Sequence, residues 1–215
     1  LFWYSYLEDG TPAWYIAQAA APAAGTGWWT SPLYRVAWNG SAGTPTQVGT
    51  IELTPTATNR FMFTWQLEGE QGSEAFELLA AADACVGVGA DTASLSGNWF
   101  APAQAGYGVD VLTRPDQQFD LVYFYDRLGL ARWGIGSNGP FASSSVLTML
   151  QSSGFCPTCG WAPVATQALG TLMMDYSSAT NGTLATSFTL QAPLSGSWNV
   201  AQPMLRLTGS AACLP

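Results

Sequence analysis

Residues Leu1–Ile16 read LFWYSYLEDGTPAWYI, and residues Asp120–Ile135 read DLVYFYDRLGLARWGI. The two stretches align without a gap. Matching residues share a single offset of 119 positions, and they are Tyr4 with Tyr123, Tyr6 with Tyr125, Gly10 with Gly129, and Trp14 with Trp133. Chance rarely gives so regular a match, so we expect the chain to contain two copies of one structural unit.

The two copies differ at their start. The second opens near Ser96 with the motif GNWFAP over residues 97–102, and nothing before Leu1 plays that part for the first. We therefore expect the first copy to lack its opening strands. The expected boundaries are a first repeat over residues 1–85, a Gly-rich linker over 86–95 and a complete second repeat over 96–215.

Short segments with aromatic and β-branched residues, separated by turn residues, indicate β-structure almost throughout. In the second copy the expected strands lie near residues 106–113, 119–125, 132–136, 145–151, 170–176, 184–190 and 204–207. Regular spacing of this kind predicts an all-β fold of two tandem antiparallel meander modules, each a barrel or a sandwich. Hairpin turns are expected at Leu128-Gly129 and Asn181-Gly182.

Composition excludes several function classes. Only 9% of the residues are charged, the chain has neither Lys nor His, and its net charge is −8. A surface of this kind is a poor partner for nucleic acid or for an anionic membrane, because both need clustered basic residues. No stretch approaches the roughly 18 apolar residues of a membrane-spanning helix.

The four cysteines indicate an oxidising compartment. Cys156 and Cys159 form a CxxC motif among Gly, Pro and Ser, where a small loop-closing disulfide is expected rather than a redox helix start or half of a zinc site. Cys85 and Cys213 occupy matching positions at the end of each copy, and they either join the two modules or pair elsewhere. We expect a secreted protein, extracellular or at the cell surface, without metal or cofactor.

The aromatic spacing resembles a Trp-rich repeat of secreted bacterial proteins, G-x-W-W-N-P-x-x-S-G-x-G followed by W-[FY]-T-Y-D-x-x-G-x-P-x-W. Residues 97–133 carry both parts of the pattern, and residues 3–15 carry the second part. Ala101 departs from it where Asn is usual. The resemblance implies an exported, non-catalytic module. A weaker likeness to lipocalin and avidin barrels rests on Gly97-x-Trp99 and on an Arg near the end of the chain, Arg206.

Several aromatic residues have two interpretations. Tyr123 and Tyr125 share one strand face and Trp133 follows across a turn, so we expect core packing within their module. The tryptophans beside Gly-rich or polar loops are instead expected to be exposed, and they are Trp28, Trp29, Trp38 and Trp161. Exposed Trp next to amide side chains is typical of carbohydrate recognition.

Catalysis finds little support in the sequence. General acid and base chemistry near neutral pH most often uses His, which is absent. Carboxylates remain conceivable, but Asp110, Asp126, Asp175 and the cluster Glu68, Glu70 and Glu74 lie in contexts typical of solvated surface. We therefore expect a protein that is not an enzyme.

Two hypotheses follow for function. The first is a structural or assembly module that polymerises by strand complementation at an open edge formed by Leu1, Phe2, Trp3, Tyr4 and Tyr6. Its partners are other copies of the chain or a severed upstream segment of its own precursor. The alternative is a carbohydrate-binding module that uses the exposed tryptophans, with glycans as partners.

Overall fold

The computed structural model describes residues 1–23, 27–79, 84–207 and 213. Within these ranges the chain forms sixteen β-strands and no helix, so the predicted all-β class is confirmed. All strand pairs are antiparallel, and the strands divide into a six-stranded sheet, a small hairpin and a closed barrel of eight strands. The barrel settles the expected choice between barrel and sandwich for the second module.

The six-stranded sheet is a simple meander in chain order. Its strands are β1 Phe2–Tyr6, β2 Pro12–Ala17, β3 Trp29–Trp38, β4 Gly43–Ala57, β5 Arg60–Leu67 and β6 Glu70–Glu77. The sheet curls around side chains from both of its ends, since Trp3 on β1 contacts Phe63 and Trp65 on β5 at ring distances of 5.0 and 5.8 Å. Large aromatic residues therefore fill the concave side of the sheet.

The closed barrel follows the same up-and-down order. Its strands are β9 Gly97–Phe100, β10 Gly108–Arg114, β11 Gln117–Tyr125, β12 Ala131–Asn138, β13 Ser144–Ser153, β14 Ala165–Tyr176, β15 Asn181–Thr189 and β16 Ser197–Arg206. The closure pairs β16 with β9, and Arg206 lies opposite Trp99. The Arg206 guanidinium donates to the carbonyls of Ser94 and Ser96, which precede β9.

Residues 86–95, expected as a Gly-rich linker between the modules, contain a hairpin of β7 Val86–Val88 and β8 Asp91–Ala93. Its apolar side chains, together with Leu95, belong to the hydrophobic core of the barrel. This segment forms a hairpin because its alternating valines bury one face. The Gly-rich composition of the segment does not indicate this burial. Cys85, next to β7, forms a disulfide with Cys213, and Cys156 pairs with Cys159, as predicted. The first disulfide therefore links the two ends of the barrel segment and not the two modules.

Side chains on β11 alternate as expected, but both faces of the strand are covered. Val122 and Phe124 point into the barrel core. Tyr123 and Tyr125 point outward and pack with Trp14 from the six-stranded sheet. The expectation that these aromatics form the core of their own module is therefore wrong, because they lie in a third hydrophobic cluster between the sheet and the barrel.

The two predicted turns have different outcomes. Leu128-Gly129 is the β11–β12 turn, where Gly129 adopts a positive φ of 74°. Asn181 and Gly182 instead begin β15 and pair with β16, so the hairpin predicted there is misplaced. The turn lies just upstream, where the Ser178 hydroxyl accepts hydrogen bonds from the backbone and side-chain amides of Asn181.

Candidate functional site

The six-stranded sheet has two free edges. Within the described residues β1 pairs with β2 alone and β6 pairs with β5 alone. Leu1 and Ala17 exchange both backbone hydrogen bonds. Because this pattern alternates along an antiparallel pair, the backbone N–H and C=O groups of Phe2, Tyr4 and Tyr6 point away from β2. They form a row of donors and acceptors along the free edge of β1.

An apolar groove lies beside this edge. We call it the edge groove; its volume is about 370 Å³. Residues from three places line it, namely Tyr4 on β1, Leu78 and Leu79 after β6, and Ser96, Gly97, Asp110, Val111, Leu112, Phe119 and Leu121 of the barrel segment. Leu79 is 75% exposed, and Leu78 is 47% exposed. The free edge of β1 is thus bordered by uncovered hydrophobic side chains.

Polar atoms near the edge groove are buried and lack partners. The Tyr4 hydroxyl and the Asn98 side-chain oxygen have no hydrogen bond within the described part of the chain. Burial raises the pKa of the Asp110 carboxyl. The pKa of Tyr4 is also raised, first by burial and then by the charge of Asp110. Asp110 is therefore the charged residue that lines the groove, and the remaining lining is largely apolar.

The side chains of the residues predicted as an assembly edge point in different directions. Trp3 turns into the curled sheet and is buried. Phe2, Tyr4 and Tyr6 turn their side chains toward the barrel and are partly buried there. Leu1 remains exposed. Their side chains are therefore already packed, and the backbone is the part of this edge that is open.

The structure does not gather the four predicted ligand tryptophans into one surface. Trp28 is 51% exposed and Trp161, in the β13–β14 loop, is 79% exposed. Trp29 and Trp38 stand at opposite ends of β3, a strand of 10 residues, so they are about 30 Å apart. Trp29 donates to the Ala20 carbonyl at 3.0 Å, and Trp38 stacks on Tyr125 at 5.8 Å.

A second cleft, of about 600 Å³, is acidic. It lies between the β1–β2 turn, the β5–β6 turn and the Cys156–Cys159 loop, and its lining includes Glu8, Asp9, Glu68 and Glu70. Glu68 forms an ion pair with Arg35, and Asp9 accepts hydrogen bonds from Thr11. Among the described residues no group of three or more His, Cys, Asp or Glu side chains is placed to hold a metal ion.

Two of the candidate carboxylates are not solvated as their sequence context suggests. Asp126 accepts a hydrogen bond from the Arg132 Nε at 2.9 Å, and both side chains are buried. Arg132 also donates to Thr11 of the sheet, so this ion pair helps to hold the two modules together. Asp110 is largely covered at the edge groove.

Sequence reasoning missed a polar cluster inside the barrel. Asp120 is fully buried and its Oδ2 accepts from Gln118 at 3.0 Å, while Gln118 accepts from Ser145 at 2.8 Å. Burial raises the pKa of Asp120 to about 7. The signal available in the sequence was the position of Gln118 and Asp120, which share the inward face of β11 with Val122.

Comparison of the chain with protein-family models, with curated proteins and with solved structures finds no significant match. No helix in the described ranges is long and apolar enough to cross a membrane.

Proposed function

We propose that this protein is a non-catalytic structural module of an exported bacterial protein, and that it assembles by adding a strand to the free edge of β1. The donated strand comes from another copy of the chain or from another segment of its precursor. The observation that carries the proposal is the backbone of Phe2, Tyr4 and Tyr6, which has no strand partner on its outer side within the described ranges and lies beside the apolar edge groove. The two disulfides are consistent with an extracellular location.

Strand addition fits the chemistry of this edge. Unpaired N–H and C=O groups along an edge strand are a template for another strand, and pockets beside the edge then select its side chains. The edge groove supplies such a pocket, lined by Leu78, Leu79 and Leu112. An extended apolar segment therefore gains backbone hydrogen bonds and side-chain burial in one step.

The concave side of the sheet leaves little room for side chains of a donated strand. Trp3, Tyr15, Phe63 and Trp65 are buried there. The corresponding barrel positions on β11 and β12, Val122 and Gly134, carry smaller side chains. These aromatic side chains already fill the concave side of the sheet. A donated strand can therefore pair with the edge of β1 without contributing a large side chain to this core.

A head-to-tail polymer is the arrangement that we favour. β1 and β6 are different strands and both are free on one side within the described residues. Pairing β6 of one copy with β1 of the next is heterologous, so it continues from copy to copy without closing.

The same proposal treats the sheet and the barrel as two copies of one repeat, with the resemblance to the Trp-rich repeats of secreted bacterial proteins. Support comes from matching irregularities. A bulge follows the pairing of Leu33 with Gly49 in the sheet, and another follows the pairing of Met149 with Gly170 in the barrel. Both glycines sit against a backbone carbonyl that leaves no room for a Cβ.

Light scattering coupled to gel filtration tests the assembly. We expect the molar mass to rise with concentration from that of the 22.7 kDa monomer. Leu79→Glu, which places a charge in the edge groove, should keep the protein monomeric. Leu128→Glu is the matched control, since Leu128 is also highly exposed but lies outside the groove. A parent that stays monomeric at every concentration, with no additional peptide in its mass spectrum, contradicts the proposal.

Carbohydrate binding is the second candidate, and the exposure of Trp161 and Trp28 favours it. A glycan array with the parent and with Trp161→Ala tests this function. Binding that the substitution abolishes, with unchanged thermal unfolding, would support a sugar-stacking role for Trp161. An array without any bound glycan would argue against it.

A further inference from the structure

The hairpins β1–β2 and β11–β12 pack against each other through their outward faces, and these faces are nearly the same. We call each one the hairpin face. Its residues in the sheet and in the barrel are Phe2 and Leu121, Tyr4 and Tyr123, Tyr6 and Tyr125, Trp14 and Trp133, and Ile16 and Ile135. Every pair has the offset of 119, and four of the five pairs are identical.

The inward faces of the same hairpins differ at every position. The pairs are Trp3 and Val122, Ser5 and Phe124, Ala13 and Arg132, Tyr15 and Gly134, and Ala17 and Gly136. Adjacent residues of a strand point to opposite faces, so the likeness between the copies alternates along the strands. The hairpins are therefore alike where they touch each other and different where each covers its own interior.

The hydrogen bonds across this contact are reciprocal. The Trp133 indole N–H donates to the Ser5 carbonyl at 2.9 Å. The Trp14 indole N–H donates to the Phe124 carbonyl at 3.4 Å. Ser5 and Phe124 occupy matching positions in the two copies. Each tryptophan therefore donates to the same position of the opposite hairpin.

Ring contacts repeat the same exchange. Trp14 lies 5.5 Å from Tyr125, and Trp133 lies 5.4 Å from Tyr6. Trp14 also lies 5.6 Å from Tyr123, and Trp133 lies 6.1 Å from Tyr4. A contact in which residue i meets j and j meets i is the signature of an interface with a two-fold axis.

The loops beyond the hairpins add a third reciprocal pair. The Trp38 amide, at the end of β3, donates to the Gly129 carbonyl at 2.8 Å. The Gly154 amide, just after β13, donates to the Gly10 carbonyl at 3.2 Å. Gly10 and Gly129 are matching turn residues, so each module binds the β-turn of the other with the same part of its chain.

We propose that the hairpin face is a self-complementary docking surface whose partner is the same face of another module of this kind. Two modules pair about an approximate two-fold axis, and in this chain the partners happen to be covalently joined. The pairing uses side chains on the sheet face, whereas strand addition uses the backbone edge of β1. The two modes are therefore compatible, and this one does not depend on the proposed function.

The experiment uses the full chain with a protease site in place of residues 80–83, cut after folding. Both disulfides lie within the barrel segment, so no covalent bond joins the two pieces after the cut. Native mass spectrometry should show the pieces held together one to one. It should also show pairs of two barrel pieces at high protein concentration, because the barrel face matches itself.

Matched substitutions test the two-fold relation. Trp14→Phe and Trp133→Phe each keep a ring and remove one of the reciprocal N–H donors, so each should weaken the pairing of the cut pieces by about tenfold. Trp161→Phe is the control and should leave the affinity unchanged, since Trp161 is 79% exposed and makes none of these contacts. Pieces that separate, barrel pieces that never pair, or a loss confined to one tryptophan would overturn the proposal.

Discussion

The buried carboxyl of Asp120 makes the stability of the barrel depend on pH. Burial raises its pKa from 3.8 to about 7, and the Gln118 hydrogen bond offsets only part of that shift. Its Oδ1 has no partner within the described part of the chain. The folded barrel therefore holds the Asp120 proton more tightly than the unfolded chain does.

The sign and size of the effect follow from this difference. Between about pH 4 and pH 7 the folded state binds one more proton than the unfolded state, so stability falls by about 1.4 kcal/mol per pH unit as pH rises. The full contribution is present below pH 4 and is lost above pH 7. The total loss is on the order of 4 kcal/mol.

Asp120→Asn removes this dependence because the amide has nearly the same shape and never ionises. At pH 8 the variant should be more stable than the parent by up to about 4 kcal/mol, and the difference should vanish near pH 4. Urea unfolding of both proteins at half-unit pH steps measures it. Comparing parent with variant cancels the other carboxylates.

Asp116→Asn is the matched control, since Asp116 lies in the exposed β10–β11 turn. This variant should differ from the parent by less than about 1 kcal/mol, because the ion pair that Asp116 makes with Arg114 is exposed to solvent. A gap between Asp120→Asn and the parent that stays constant from pH 4 to pH 8, or that grows toward low pH, would refute the assigned pKa shift.

The remaining predictions concern covalent and backbone constraints. Intact mass should show no free thiol. Removing the Cys85–Cys213 disulfide should lower the free energy of unfolding in urea by about 5 kcal/mol, because the bond closes a loop of 128 residues. A loss below about 1 kcal/mol would contradict this. Gly170→Ala should cost about 3 kcal/mol or more, since its Cβ would overlap the Ser187 carbonyl at a φ of 142°. Gly139→Ala, with open space around it, should be close to neutral, and equal losses for the two would show the packing at Gly170 to be wrong.

The strands were predictable because their alternation and spacing are local properties of the sequence. The segment expected at residues 119–125 lies within β11, and the turn expected at Leu128-Gly129 joins β11 to β12. The prediction of a turn at Asn181-Gly182 was wrong. This dipeptide favours a two-residue hairpin turn, but a longer turn just upstream is stabilised by the side chains of Ser178 and Asn181.

The site was less predictable because it depends on which face of each strand packs against the other module. On β11 the alternation placed Tyr123 and Phe124 on opposite faces, but both faces carry apolar rings. Nothing local distinguishes a face buried in its own barrel from one buried against a second module. The edge groove is harder still, since Leu79 and Leu112 meet only through the packing of the sheet on the barrel.

The most direct test of strand addition is the exchange of single backbone amides followed by NMR as the protein is concentrated. The Tyr4 amide points to the free edge, whereas the matching Tyr123 amide faces β10 and serves as the internal reference. Ala75→Pro removes an outward N–H from β6 without breaking its pairing with β5, and Ala75→Ser is its control.

Strand addition predicts that exchange at Tyr4 slows at least a hundredfold with concentration in the parent and in Ala75→Ser, but stays fast in Ala75→Pro. Exchange at Tyr123 should be slow and independent of concentration throughout. An amide of Tyr4 that exchanges at the same rate at every concentration, in all three proteins, would contradict assembly at the free edge of β1.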